Sequence, residues 1–176
     1  MRLFLHQKLP KDLKGISSRV TYVPSGELAW PRERSTRTLE ENRAAGERMR
    51  RIRANGGQLG GMFAGSDLLL LHHTGDKSGT ERISPLAYQM VGESYAVFAS
   101  RAGSPANPDW LRNVVANPKT TIEIGMEAVP VTARIAEPAE RDVIWERQKK
   151  RVPRFAEYER KAAPRKIPVV VLDPVK

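Results

Sequence analysis

Two dipeptides, Gly92-Glu93 and Gly125-Met126, constrain the fold more than any other feature of the chain. Each lies between runs that suit extended backbone: 82–91 and 94–100 around the first, 119–124 and 128–136 around the second. A glycine at such a point supplies the positive φ of a tight hairpin, so the flanking strands pair antiparallel. Residues 67–73 and 167–172 have the same extended character. The run Leu68-Leu69-Leu70-Leu71 has no polar alternation, which predicts a strand buried on both faces.

Helices are few. Asn107-Pro108 opens one over 108–116, with Asn107 as its cap, and Asn117-Pro118 ends it. Pro138-Ala139-Glu140 opens a second over 138–151, whose last turn gathers positive charge where the helix dipole favours it. A third, at about 153–163, carries Phe155 and Tyr158. Upstream, the Thr38–Glu41 capping box and Asn55-Gly56-Gly57 bound a helix with a stripe of Leu39, Ala45, Met49 and Ile52. The expected fold is mainly β, a barrel of about six antiparallel strands with two to three packed helices and an N-terminal helix. Residues 1–54 read as a basic N-terminal extension, with one helix at about 38–54, and 55–176 as the barrel domain.

Composition removes several functions. There is no cysteine, which excludes disulfides, thiolate metal sites and cysteine nucleophiles. No apolar run approaches the ~20 residues of a membrane-spanning helix. A cytoplasmic protein is the default, and residues 1–35 read as a poorly ordered arm. The net charge of +10 is uneven: residues 1–64 carry 13 Lys/Arg against 6 Asp/Glu, a balance of +7. A solvated arm, nucleic-acid binding and peripheral contact with an anionic membrane are all open for that segment. No Walker loop, nucleophile elbow or dinucleotide fingerprint is present.

Chemistry concentrates at Thr74-Gly75-Asp76-Lys77-Ser78-Gly79, between two predicted strands. Glycines free the backbone to turn N–H groups toward one anion, and Lys77 and Ser78 add a charge and a hydroxyl. From these six residues alone, a phosphate nest and a solvated hairpin turn both remain open. The adjacent His72 and His73 point to opposite faces of a strand and cannot share one metal; no metal site is expected.

The order of motifs decides more than any one of them. After the hairpin come Arg82, Pro85-Leu86, Ala99-Ser100-Arg101-Ala102-Gly103, Asn107-Pro108-Asp109-Trp110, Asn113, Ala116-Asn117-Pro118, Tyr158 and Arg165–Leu172. This series resembles the deazaflavin (coenzyme F420)-dependent nitroreductase family, with a split β-barrel fold, over about residues 55–174. The resemblance implies a cofactor with a deazaflavin ring, a ribityl phosphate and a γ-glutamate tail. It assigns Lys77, Ser78 and the Gly79 backbone to the phosphate, and Arg82 and Arg101 to the tail. It assigns Pro85, Leu86, Ala99 and Ser100 to the ring, and Asn113 to the phosphate or ribityl chain. Ala87, Phe155 and Tyr158 fall at substrate positions, and Tyr158 is the expected proton donor. Asp76 stands where many members carry a second basic residue. The implied activity is hydride transfer from reduced F420 to a small molecule: a nitro compound, quinone or activated alkene. The alternatives are a split barrel holding FMN or haem, and a non-catalytic module acting through its basic arm. A monomer and a homodimer are both open.

Overall fold

The computed structural model describes residues 39–58, 63 and 65–175. The element order is α1 (Leu39–Ala54), β1 (Leu68–Thr74), β2 (Glu81–Val91), β3 (Ser94–Phe98), α2 (Asp109–Ala116), β4 (Lys119–Ile124), β5 (Glu127–Ile135), α3 (Pro138–Arg151), α4 (Arg154–Ala162) and β6 (Val169–Pro174). The six strands close into an antiparallel barrel in the order β1-β2-β3-β6-β5-β4. Gly92 and Gly125 both sit at φ 61°, where the two predicted tight turns place them. The expected capping by Thr38, and the arm read over 1–35, lie outside the described residues.

Side chains from all six strands meet inside the barrel, Leu69, Leu71, Val97, Ile122, Val131 and Leu172 among them. Trp110, Leu111 and Val114 of α2 join this interior cluster. A second apolar cluster packs α3 and α4 on the outside of β3 and β6 through Trp145, Phe155, Phe98 and Val169. The third places Ile52 of α1 against Leu68 and Leu70. β1 is therefore buried on both faces, Leu69 and Leu71 inward and Leu68 and Leu70 beneath α1. Full burial of such side chains stabilises by about 1.5–3 kcal/mol each.

α1 is also latched by charge. Arg53 donates from Nε and Nη2 to the Glu123 carboxylate of β4, at 2.6 and 2.8 Å. His72 Nε2 lies 2.6 Å from the same carboxylate. Chain exit from the helix requires Gly57, at φ 89°, because a Cβ there would meet the Leu68 carbonyl oxygen at 2.8 Å.

β2 is less buried than β1. From Ile83 to Tyr88 every residue is half-buried; β1 pairs with 81–87 of the strand and β3 only with 88–91. Leu86 and Tyr88 pack on the interior cluster, whereas Ile83 and Ala87 pack on the clusters under α1 and α3/α4. The strand thus presents a partly open apolar surface between two helical layers.

Candidate functional site

The hairpin between β1 and β2 is closed by the Gly75 N–H on the Thr80 carbonyl at 2.9 Å and the Gly79 N–H on the Gly75 carbonyl at 2.8 Å. Gly79, at φ 62°, therefore shapes the turn while its own N–H is engaged within it. A Cβ at Gly75 would fall 2.4 Å from the Ser78 Oγ, so a side chain there would displace the serine hydroxyl. Lys77 and Ser78 are exposed at the tip, and among the described residues nothing accepts from their main-chain N–H groups. An ammonium, a hydroxyl and two open N–H donors on adjacent residues form a set fitted to a phosphate.

Two residues of α2 brace this tip. Asn113, only 2 % exposed, accepts at Oδ1 from the Asp76 N–H at 3.2 Å. Because an N–H can only donate, the Asn113 Nδ2 must face His73 Nδ1, 2.9 Å away. The His73 proton then sits on Nε2, which donates to Ser84 Oγ at 3.0 Å. A buried relay from hairpin through α2 and β1 to β2 results. Both polar ends of Asn113 thus support the hairpin, and one of its two Nδ2 hydrogens stays uncommitted among the described residues.

Arg112 supplies the second brace. Its Nε lies 3.1 Å from Asp76 Oδ1, and the Asp76 side chain is only 19 % exposed. The carboxylate expected to repel a phosphate is compensated by a cation from the neighbouring helix. The second positive charge missing from the hairpin arrives at Arg112.

The 99–107 loop forms the next wall. Its short 3-10 turn, Arg101–Gly103, holds Arg101 at φ 45°, Ala102 at φ 52° and Gly103 at φ 83°. Two consecutive non-glycine residues in the left-handed region cost about 1–2 kcal/mol each. Arg165 holds the loop, donating to the carbonyls of Ala99, Ser100 and Ser104 and to Asn107 Oδ1. The Asn107 side chain, expected to cap α2, is engaged here instead; α2 starts after Pro108 with no side-chain cap. Burial pushes the Arg165 guanidinium below its usual range, and the nearby Arg101 charge adds to the effect. The braces Arg112 and Asn113 lie three and four residues into α2 from its start at Asp109, about 5–6 Å along the axis at 1.5 Å per residue, so loop and hairpin are within reach of one extended ligand.

The substrate positions also converge. Phe155 is 4 % exposed in the outer aromatic core, against Phe98, Trp145 and Tyr158. Tyr158 is half-buried with its ring centroid 5.4 Å from that of Phe155, and Ala87 packs on the same cluster. Gly103 lets α4 approach the loop: a Cβ there would meet Tyr158 Cα and O at 3.0 Å. Tyr158 therefore borders the 101–103 turn. Pro85 and Leu86 are half-buried on β2, Arg82 is exposed near the start of the same strand, and Arg101, exposed on the 101–103 turn, donates to the Asn107 carbonyl at 3.4 Å.

Among the described residues no group of His, Asp and Glu could hold a metal, and the two histidines are satisfied on opposite faces. No helix among them is long and apolar enough to cross a membrane. A cavity of about 200 Å³ beside the C-terminal end of α2 lies apart from the residues just described. Its one charged residue, Arg134, is pinned to Glu140 and Asp173, so it offers no free chemistry.

Sequence reasoning missed Arg112, Ser84 and Arg165 as parts of the site. Arg112 had a local signal, one position before Asn113 on a helix already placed. Arg165 stood in the motif series, but its role there had no local signal, because its partners lie about 60 residues away in sequence.

A family profile described as F420H(2)-dependent quinone reductase matches residues 44–174. An F420H(2)-dependent quinone reductase of Mycobacterium tuberculosis is 35% identical over 124 residues, covering 68% of this chain and 83% of that one. A solved structure described as an F420-H2 dependent reductase is 37% identical, with TM-score 0.55, over 60% of this chain and 93% of its own. Another, described as a domain-swapped dimer, is 32% identical, with TM-score 0.56, over 75% and 98%.

Proposed function

The chain belongs to the F420H(2)-dependent quinone reductase family, and we propose that its β2 groove holds reduced coenzyme F420 beside a quinone. It is an F420H2-dependent oxidoreductase, and the match over 44–174, which takes in every residue placed in the site, carries that assignment. The donor set fits the group. Lys77, Ser78 and their N–H groups would hold the phosphate, with Arg112 cancelling the Asp76 charge. Pro85, Leu86, Ala99 and Ser100 would border the ring, and Arg82 and Arg101 would meet the anionic tail.

When bound, the reduced deazaflavin supplies a hydride, a two-electron donor suited to a quinone. The protein's part is to hold donor and acceptor in register and exclude water. Hydride plus one proton converts a quinone to a hydroquinone. Tyr158, at the end of the groove, would provide that proton or relay it from water. Nitro compounds and activated alkenes make the same demand for a hydride and are secondary substrates in this reading.

Mixing the purified protein with reduced F420 and a soluble quinone tests the assignment. The expected result is oxidation of one reduced F420 per quinone consumed. Reduction of the quinone from reduced FMN, with no turnover of reduced F420 on any of the three acceptor classes, would overturn it. A homodimer is the assembly favoured here, supported by the solved relative described as a domain-swapped dimer. The arm at residues 1–38 stays outside this reading.

A further inference from the structure

Arg165 is a guanidinium with all five donors engaged and no carboxylate among its partners. Nε and Nη2 donate to the Ser104 carbonyl at 3.1 and 2.7 Å. Nη2 also donates to the Ser100 carbonyl at 3.1 Å. Nη1 donates to the Ala99 carbonyl at 3.2 Å and to Asn107 Oδ1 at 2.7 Å. Three loop carbonyls are thereby gathered onto one side of the 99–104 segment.

The N–H groups of the same segment divide differently. Those of Ala99, Gly103 and Ser104 are engaged by Pro168, Ser100 and Arg101. Among the described residues nothing accepts from the N–H groups of Ser100, Arg101 or Ala102. These three are consecutive, and the last two occupy the left-handed region at φ 45° and 52°. Backbone strain at two non-glycine residues persists only where surrounding contacts over-determine it, and Arg165, the Arg101 bond to the Asn107 carbonyl and the packing of Gly103 on Tyr158 and Lys161 do so together. Burial, and then the nearby Arg101 charge, disfavour the charged form of Arg165. An oxygen ligand carrying negative charge relieves that repulsion.

We infer that Arg165 is a positioning residue: by collecting the loop's carbonyls it leaves Ser100, Arg101 and Ala102 as a main-chain donor face for an oxygen acceptor of the bound cofactor. The acceptor is a ring carbonyl or a tail carboxylate; both offer the same chemistry. This inference rests on the F420 reading above. A lysine at 165 keeps the charge but cannot bridge four acceptors, so the fork rather than the charge is what the site needs.

The test is a fluorescence titration of full-length wild type, Arg165→Lys and Asn107→Ala with two ligands. One is F420; the other is the deazaflavin with its ribityl chain but without phosphate and glutamates. Binding stoichiometry is measured alongside, so that the dissociation constant refers to folded protein only. Arg165→Lys is expected to raise the F420 dissociation constant about tenfold or more, the loss of one or two hydrogen bonds. Asn107→Ala, which removes one of the acceptors and leaves the guanidinium, is expected to raise it a few-fold and keeps the test open if the lysine variant fails to fold. An equal loss on both ligands supports the inference and places the acceptor on the ring. A loss on F420 alone supports it and places the acceptor on the tail. A reduced stoichiometry with unchanged dissociation constants in both variants would overturn it, leaving Arg165 a purely structural residue. Failure of the wild type to bind either ligand would instead sink the F420 reading itself.

Discussion

At the residue scale the site depends on how few charges are left uncompensated. Asp76 sits on the hairpin proposed to hold the phosphate, yet its carboxylate lies 3.1 Å from Arg112, so the Lys77 charge of the turn is not spent on it. Lys77→Glu removes a charge-assisted contact and adds a repulsion, and is expected to weaken F420 binding about 10- to 100-fold. Titration at two salt concentrations checks this, and the deficit should shrink at the higher one. Arg112→Ala leaves Asp76 facing the phosphate alone and should weaken binding in the same direction. Asp76→Asn in that background should recover part of the loss, because the two residues act as a pair. Equal affinities for the single and double variants would show that Asp76 does not sense the ligand. The two histidines make the same point about context. Adjacent in sequence, His72 joins the latch under α1, while His73 fixes the Asn113 relay.

At the element scale, nearly all of the architecture was legible in the sequence. β4 begins and ends at the expected residues, as does α3, because turn residues and capping sequences bracket both. The doubly buried β1 followed from four consecutive leucines. Contacts between segments far apart in sequence were not legible. The ring order that seats β6 between β3 and β5, the Arg53–Glu123 latch across 70 residues, and Arg165 beneath the 99–107 loop leave no local pattern. Asn107 shows the limit well: its local spacing reads as a helix cap, but a distant arginine claims its side chain. The α1 latch has a pH dependence. Hydrogen bonding from Arg53, aided by His72 and opposed by burial, holds the Glu123 carboxyl at about 2, below its ordinary 4.5. A depressed carboxyl contributes stability that is complete above the ordinary value and lost as pH falls toward the folded one. Amide exchange in α1 should therefore accelerate between about pH 4.5 and 2 relative to the barrel strands, and Glu123→Gln should flatten that dependence. Ile52→Ala, at a site 1 % exposed, should cost about 2–4 kcal/mol in denaturant unfolding.

At the scale of the whole molecule, a closed barrel supplies a rigid frame, and one of its strands is left half-covered between two helical layers. The hairpin joins that strand to β1, and α4 packs against the 101–103 turn and shares an apolar cluster with Ala87 of the strand. α2 ties the interior to the hairpin, and Arg165 ties the start of β6 to the loop. In the proposed reading the 74–79 hairpin is the anion grip, the Ser100–Ala102 N–H groups are the donor face and Tyr158 is the proton donor. Parallel titrations of the purified, full-length protein with F420 and FMN test this account most directly. The account predicts saturable binding of F420, one per chain, that Lys77→Glu weakens, with FMN bound far more weakly. Tight FMN binding with no affinity for F420 would contradict it.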